Sequence, residues 1–256
     1  MADPGLEEAI RAAGGITELA RRIGISQPSV SNWSRVPAER VLAVEAATGI
    51  ERAVLRPDLY EPASPAPDDI EQARAQKYAL LAALLRQAPD AVLLRRIARL
   101  EGDATPLGGA HAALARVARV AHPDQVAREF FDLFVGVARG ELLPYASYYL
   151  TGFLHERPLA RLRTDMRTLG LERAEGPSEP EDHAAILCEI MALLIGGESA
   201  ATVSRQRHFF EEHLAPWIGR FFADLETAEH AEFYRPVGTL GRLFIGIETE
   251  AFALPL

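Results

Sequence analysis

Cysteine is almost missing from this chain of 256 residues, and the single Cys188 excludes an intrachain disulfide and argues against a zinc site of thiolates. One cysteine is typical of a protein of the reducing cytoplasm. No apolar run approaches the ~18 residues of a membrane-spanning helix. The acidic start Met1–Ile10 lacks the basic and apolar segments of a signal peptide. We therefore expect a cytoplasmic protein without membrane insertion.

Runs in which apolar and polar residues alternate are nearly absent too. Apolar residues make up 48% of the chain, and they recur at steps of three and four residues. This spacing predicts an all-α fold. The formal net charge of −9 argues against a general affinity of the whole molecule for nucleic acid, but it suits a cationic peptide as partner.

The usual motifs of catalysis are missing as well. The sequence has no phosphate-binding loop, no G-x-S-x-G and no pair of histidines four residues apart with a third metal ligand, since His208 and His213 are five apart. Asp182 and His183 are neighbours, but adjacent side chains on a helix diverge by roughly 100°. We expect a protein that is not an enzyme, with no catalytic residues, no metal and no cofactor.

A proline-rich segment, EPASPAPDD at residues 61–69, divides the chain. Closely spaced prolines favour an extended, semi-rigid spacer. The segment predicts a small domain at residues 1–60, a linker at 61–69 and a larger domain at 70–256. The alternative is a long loop inside one domain.

The first part contains ITELARRIGISQPSVSNW at residues 16–33, which resembles the helix-turn-helix of Cro-like and YdaS-like DNA-binding proteins. Ala20 is small where two helices cross, and Gly24 stands where the turn needs a positive φ. By this resemblance the second helix, predicted at Gln27–Trp33, would read DNA. Its exposed candidates for DNA contact are Gln27, Ser29, Ser31, Asn32 and Arg35.

The charge of residues 1–60 does not decide whether this part binds DNA or protein. Residues 1–60 carry about as many acidic as basic side chains, whereas a DNA-reading domain is usually basic on its contact face. DNA is therefore one candidate partner. The alternative is a helix-turn-helix that serves protein contact or dimerisation.

The second part predicts a stacked bundle of longer helices, with an unusually aromatic stretch between two of them. This stretch, LLPYASYYLTGFLH at residues 142–155, offers rings with polar tips that suit a peptide groove, or that simply fill the core. Further on, Ser178 and Glu181 match a helix-capping box with Pro180 in the first turn. The pattern places Asp182 and His183 in the first turn of a helix.

Three segments, in order, resemble the TorD-like chaperones of molybdenum-enzyme maturation (the TorD, DmsD and NarJ type). They are the tyrosine-serine segment around Tyr145, Ser147 and Tyr148, the sequence EPEDH at residues 179–183, and FFEEHLAPW at residues 209–217. The resemblance covers residues ~70 to 256. The helix-turn-helix departs from it, because typical members lack such a domain.

The resemblance implies an all-α chaperone that binds a molybdenum-dependent oxidoreductase subunit, such as that of a formate dehydrogenase, or its twin-arginine signal peptide. The client-binding residues carried over are Tyr145, Ser147, Tyr148, Asp182, His183, His213 and Trp217. The sequence also allows a homodimer in which two protomers exchange helices. The alternative function is a helix-turn-helix transcription regulator whose large domain senses a peptide or ligand.

Overall fold

The computed structural model describes residues 3–60, 67–171, 179–197 and 201–254, and the chain divides into two compact units, Met1–Ala66 and Pro67–Leu256. Regular structure in the described residues is helical, and extended backbone pairs there only in an isolated bridge between Tyr145 and His183. The all-α prediction is confirmed. Most of the proposed linker lies outside the described residues, and its last three residues belong to a helix that begins at Pro67. No helix in the described residues has the length and apolar character to cross a lipid bilayer.

The first unit is built of short helices around one small core. Its helices are α1 (Pro4–Ala13), α2 (Ile16–Arg22), α3 (Gln27–Ser31), a 3₁₀ turn (Ala38–Arg40), α4 (Val41–Thr48) and α5 (Arg52–Leu55). Ala20 and Val30 are buried where α2 and α3 pack together. Gly24 has the positive φ of 71° that the sequence predicts for the turn. The helix predicted at Gln27–Trp33 is shorter than expected and ends at Ser31.

The second unit holds longer helices. They are α6 (Pro67–Arg86), α7 (Ala91–Ile97), α8 (Pro106–Val120), α9 (Pro123–Phe130), which continues into a π-helical turn (Phe131–Val135), α10 (Ala146–Thr151), α11 (Arg157–Thr168), α12 (Ala184–Gly196), α13 (Val203–His213), α14 (Ile218–Thr227) and α15 (Tyr234–Ala253). Several begin at a side-chain cap or at a proline that has no N–H to leave unpaired, as at Asp90 of α7 and Pro123 of α9.

Two helix pairs form the centre of the second unit. Helix α6 packs along α12, and α14 packs along α15. The backbones of α14 and α15 approach closely because Gly238 and Gly241 face α14, where a Cβ at Gly241 would lie 2.3 Å from the ring of Phe222. A partly buried ion pair adds to this core, since Arg74 of α6 donates to both oxygens of Glu248 of α15 at 2.8 Å.

The start of α12 corrects one sequence prediction. Ser178 lies outside the described residues, but the helix begins only at Ala184, so the predicted capping box is wrong and Pro180 is not in its first turn. The chain at residues 182–184 instead pairs with residues 144–146: the N–H of Ala146 donates to the carbonyl of Asp182, and the N–H of Ala184 donates to the carbonyl of Pro144. This pairing joins the aromatic segment to the EPEDH segment.

Candidate functional site

The site lies where these two segments meet, at the starts of α10 and α12. Asp182 precedes α12, and its carboxylate turns towards α10. Its Oδ2 atom accepts from the backbone N–H of Ser147 at 2.8 Å and from the Ser147 hydroxyl at 2.5 Å. The sequence pattern places Asp182 in the first turn of α12, but the helix N-terminus that its carboxylate meets is that of α10.

The other carboxylate oxygen of Asp182, Oδ1, is the atom that bears on a possible function. The residue is only 1% exposed, and its Oδ1 atom has no hydrogen-bond partner among the described residues. Leaving a buried carboxylate oxygen unpaired costs free energy, and such atoms in native proteins call for an explanation. Asp182 lines a small cleft of about 40 Å³. A buried carboxylate with one unpaired oxygen therefore stands beside the cleft.

His183 is the N-cap of α12. Its Nδ1 atom accepts from the N–H of Ala185 at 3.1 Å, so the remaining proton of the neutral ring is on Nε2. Burial lowers the pKa of His183 to about 4, against the opposing influence of Glu179 and Asp182. His183 is thus a neutral helix cap at physiological pH.

The tyrosines of the aromatic segment have separate surroundings. The ring of Tyr145 meets that of His183 edge to face, with centroids 5.0 Å apart. Its hydroxyl donates to Glu179. The pKa of Tyr145 is raised, mainly because the side chain is partly buried and further because this carboxylate is close. Tyr148 is half-buried, accepts from Arg139 at 3.2 Å and carries that guanidinium over its ring. Tyr145 and Tyr148 are therefore partly accessible, whereas Ser147 is fully buried and acts through Asp182.

The cleft beside Asp182 is bounded by α10, α11, α12 and the end of α13. Its lining residues are Ala146, Leu150, Pro158, Arg161, Leu162, Asp182, Leu187, Glu212 and His213. The charged Arg161 and Glu212 are exposed, and so is Leu150. Phe153, which follows Leu150 in the chain, is 70% exposed. The buried carboxylate of Asp182 thus borders a small cleft that has charged and apolar groups around it.

His213 and Trp217, the two candidates furthest along the chain, are both buried. His213 lines the cleft and donates from Nε2 to Asp165 at 2.7 Å. Burial lowers the pKa of His213 in spite of this carboxylate. Trp217 is 1% exposed, and its indole N–H donates to the carbonyl of His213 at 2.8 Å. Trp217 therefore supports His213 from the core and has no free surface for a client.

Sequence reasoning missed Arg161, Asp165 and Glu212. No motif marks them, and the only signal is the apolar stripe of α11 at Leu159, Leu162 and Met166, which flanks them on the helix surface. Among the described residues, no three acidic, histidine or cysteine side chains converge as a metal site requires.

In the first unit, the residues predicted to contact DNA are all exposed: Gln27, Ser29, Ser31, Asn32 and Arg35. Two of them contact each other, since the amide of Gln27 donates to Ser31 at 2.9 Å. Nearby arginines already have acidic partners, with Arg21 on Glu18 and Arg35 on Asp58. Phosphates would have to compete with these carboxylates.

Comparison with known protein families gives one match in each of the two parts of the chain. Residues 100–223, just under half of the chain, match the family described as nitrate reductase delta subunit. Residues 6–64 match the family described as bacterial toxin YdaS.

Curated relatives match the second part. A chaperone protein TorD of Vibrio atlanticus is 27% identical over 139 residues, which cover 50% of this chain and 65% of that protein. TorD of Vibrio vulnificus strain YJ016 is 31% identical over 119 residues, or 43% of this chain and 54% of that protein. The chain therefore spans little more than half the length of these relatives.

A solved structure from Archaeoglobus fulgidus, described provisionally as a redox enzyme maturation protein, covers 73% of this chain and 98% of its own, at 19% identity and a TM-score of 0.46. The family matches and the curated relatives, taken together, confirm the predicted resemblance. The second part of the chain is similar to the TorD-like chaperones, and the first part is similar to the YdaS-like helix-turn-helix proteins.

Proposed function

We propose that this protein is a cytoplasmic chaperone that binds an oxidoreductase client, a molybdenum-dependent subunit or its twin-arginine signal peptide, and assists its maturation. The observation that carries the proposal is the buried Asp182, which lines a small cleft and whose Oδ1 atom is unpaired among the described residues. The relatives that match this part of the chain are named as chaperones.

The chemistry of the cleft favours a donor ligand. A carboxylate only accepts hydrogen bonds, so Asp182 Oδ1 selects an N–H or O–H group, and a cationic side chain gains most because the bond is then charge-assisted. The net charge of −9 attracts a basic segment towards the molecule as a whole.

The hydrogen bonds of the site residues argue against catalysis. The Nδ1 atom of His183 is occupied as a helix cap, and the Nε2 atom of His213 is occupied by Asp165. The Oδ2 atom of Asp182 already accepts two hydrogen bonds from Ser147. These groups have the contacts of a preorganised binding site, which needs fixed side chains rather than a proton that shuttles.

Substitution of Asp182→Asn tests this proposal. The asparagine keeps the size of the side chain, and its carbonyl oxygen can still accept from Ser147, but the cleft now meets an amide N–H₂ group. Loss of one charge-assisted hydrogen bond predicts a fall in client-peptide affinity of about tenfold or more, measured by calorimetry with the twin-arginine peptide of a molybdenum enzyme.

Asp90→Asn is the matched control. It changes the net charge equally, and asparagine caps a helix about as well as aspartate does at this exposed start of α7. If both variants bind the peptide as tightly as the unchanged protein, Asp182 is not part of the client site.

A second function, DNA binding by the first unit, is favoured by two observations. The polar side chains on and after α3 are exposed, and the segment matches the YdaS family. This supports the alternative of a transcription regulator whose large domain senses a peptide. A gel-shift assay at low salt tests it. Loss of a shifted band in an Asn32→Ala and Arg35→Ala double variant would support a role in DNA contact, and no band with any genomic fragment would end that proposal.

A further inference from the structure

A second cleft lies on α11 and α13, two turns along from the first. It has a volume of about 290 Å³ and is lined by Asp165, Thr168, Leu169, Ser204, Arg205, His208 and Phe209. The first cleft is lined by Pro158, Arg161 and Leu162 of α11 and by Glu212 and His213 of α13. The start of α11 thus lies opposite the end of α13, and the two helices run antiparallel.

The two clefts are related by a simple spacing. On α11, each lining residue of the first cleft has a counterpart seven positions later in the second, as Arg161 has in Thr168 and Leu162 has in Leu169. Seven residues of helix advance about 10 Å, which an extended peptide covers in about three residues.

The pair of Asp165 and His213 joins the clefts. Asp165 lines the second cleft and His213 lines the first, and their side chains are hydrogen-bonded at 2.7 Å. This pair therefore lies at the boundary between the two clefts, and we call the clefts and the pair together the groove between α11 and α13.

The halves differ in chemistry. The first half is lined by the buried Asp182, whose unpaired Oδ1 atom would favour a hydrogen-bond donor. The second half has Leu169 and the ring of Phe209 in its wall, with the polar Ser204 and Arg205 exposed at its edge. Apolar walls beneath a polar edge suit an apolar side chain.

We propose that the groove between α11 and α13 binds one extended peptide segment of the client, with a cationic side chain at Asp182 and an apolar side chain about three residues away in the second cleft. This rests on the proposed function, and it adds a second subsite and a spacing.

The test uses the full-length protein and labelled ten-residue peptides of glycine and serine that carry one arginine. One peptide has leucine three residues from the arginine, one has alanine there, and one has the leucine next to the arginine. Burying the leucine predicts that the first peptide binds about tenfold more tightly than the other two by fluorescence anisotropy.

Two variants locate the effect. Thr168→Trp fills the second cleft from an exposed position, whereas Thr164→Trp adds the same ring on an exposed part of α11 that does not line it. Thr168→Trp should abolish the advantage of leucine at spacing three, and Thr164→Trp should preserve it. Thermal melting of both variants checks that they fold.

The outcomes separate the two proposals. If leucine brings no gain, or if Thr168→Trp leaves that gain intact, the second subsite is wrong. The client site at Asp182 then still stands, provided that Asp182→Asn weakens binding of the arginine peptides. If no peptide binds, or if Asp182→Asn has no effect either, the proposed function fails together with the subsite.

Discussion

His183 caps α12 and also makes the stability of the fold depend on pH. The imidazole is buried and neutral, and its pKa of about 4 lies below the ~6.5 of an exposed histidine. The unfolded chain therefore binds the proton more tightly than the folded chain does. The contribution of His183 to stability is present above pH ~6.5 and is lost as the pH falls towards 4.

We expect His183→Asn to reduce this acid sensitivity. Asparagine is a good helix cap and does not titrate, so α12 keeps its start. The free energy of unfolding, measured with urea, should drop between pH 7 and pH 4.5 by about 2 kcal/mol less in the variant than in the unchanged protein. The same substitution at the exposed His155 is the control. An equal drop in both variants would show that His183 does not contribute.

At the same scale, the sequence predicts several residues that the structure places at the cleft, but not their contacts. Asp182 and His183 follow from the EPEDH segment. The capping pattern is local, however, whereas the backbone pairing at the start of α12 joins residues about 36 to 40 positions apart. The unpaired Oδ1 atom and the burial of Trp217 are consequences of tertiary packing. Periodicity shows which face of a helix is apolar, but not which polar neighbour faces a cleft.

Among the elements, the pair of α14 and α15 depends on small residues at its contact. The helices pack closely because Gly238 lies against α14, where a Cβ would come within 2.5 Å of the backbone nitrogen of Glu226. Backbone atoms cannot give way as the end of a flexible side chain can. The sequence shows the glycines of α15 but not which of them face α14, because glycine has no side chain to mark a face.

Gly238→Ala should therefore destabilise the protein, even though alanine favours helices. Forcing α14 and α15 apart predicts a loss of about 1–3 kcal/mol, seen as a lower Tm by calorimetry. Gly246→Ala is the control on the same helix, because its Cβ would meet nothing within 4 Å. There the better helix propensity should raise stability by up to about 1 kcal/mol. Equal effects of the two substitutions would contradict this account of the packing.

For the whole molecule, the division into two units matters for function. Each unit has its own apolar core, one built on residues such as Leu19 and Val44 and the other on residues such as Tyr78 and Phe221. The composition of residues 61–69 predicts a spacer near this division, but the segment has few apolar residues, so periodicity says nothing about where the next helix begins. The groove between α11 and α13, with Asp182 at one end, belongs entirely to the second unit.

A protein shortened to residues 61–256 should therefore fold and bind the client peptide. Its core residues and every lining residue of the groove are retained, so we expect its affinity for the twin-arginine peptide to stay within about twofold of the full-length value, which corresponds to less than about 0.5 kcal/mol. Circular dichroism checks folding, and calorimetry gives the affinity. A folded fragment that binds about tenfold more weakly would show that the helix-turn-helix unit takes part in client capture. Unchanged binding would leave that unit with a separate partner, for which DNA is the first candidate to test.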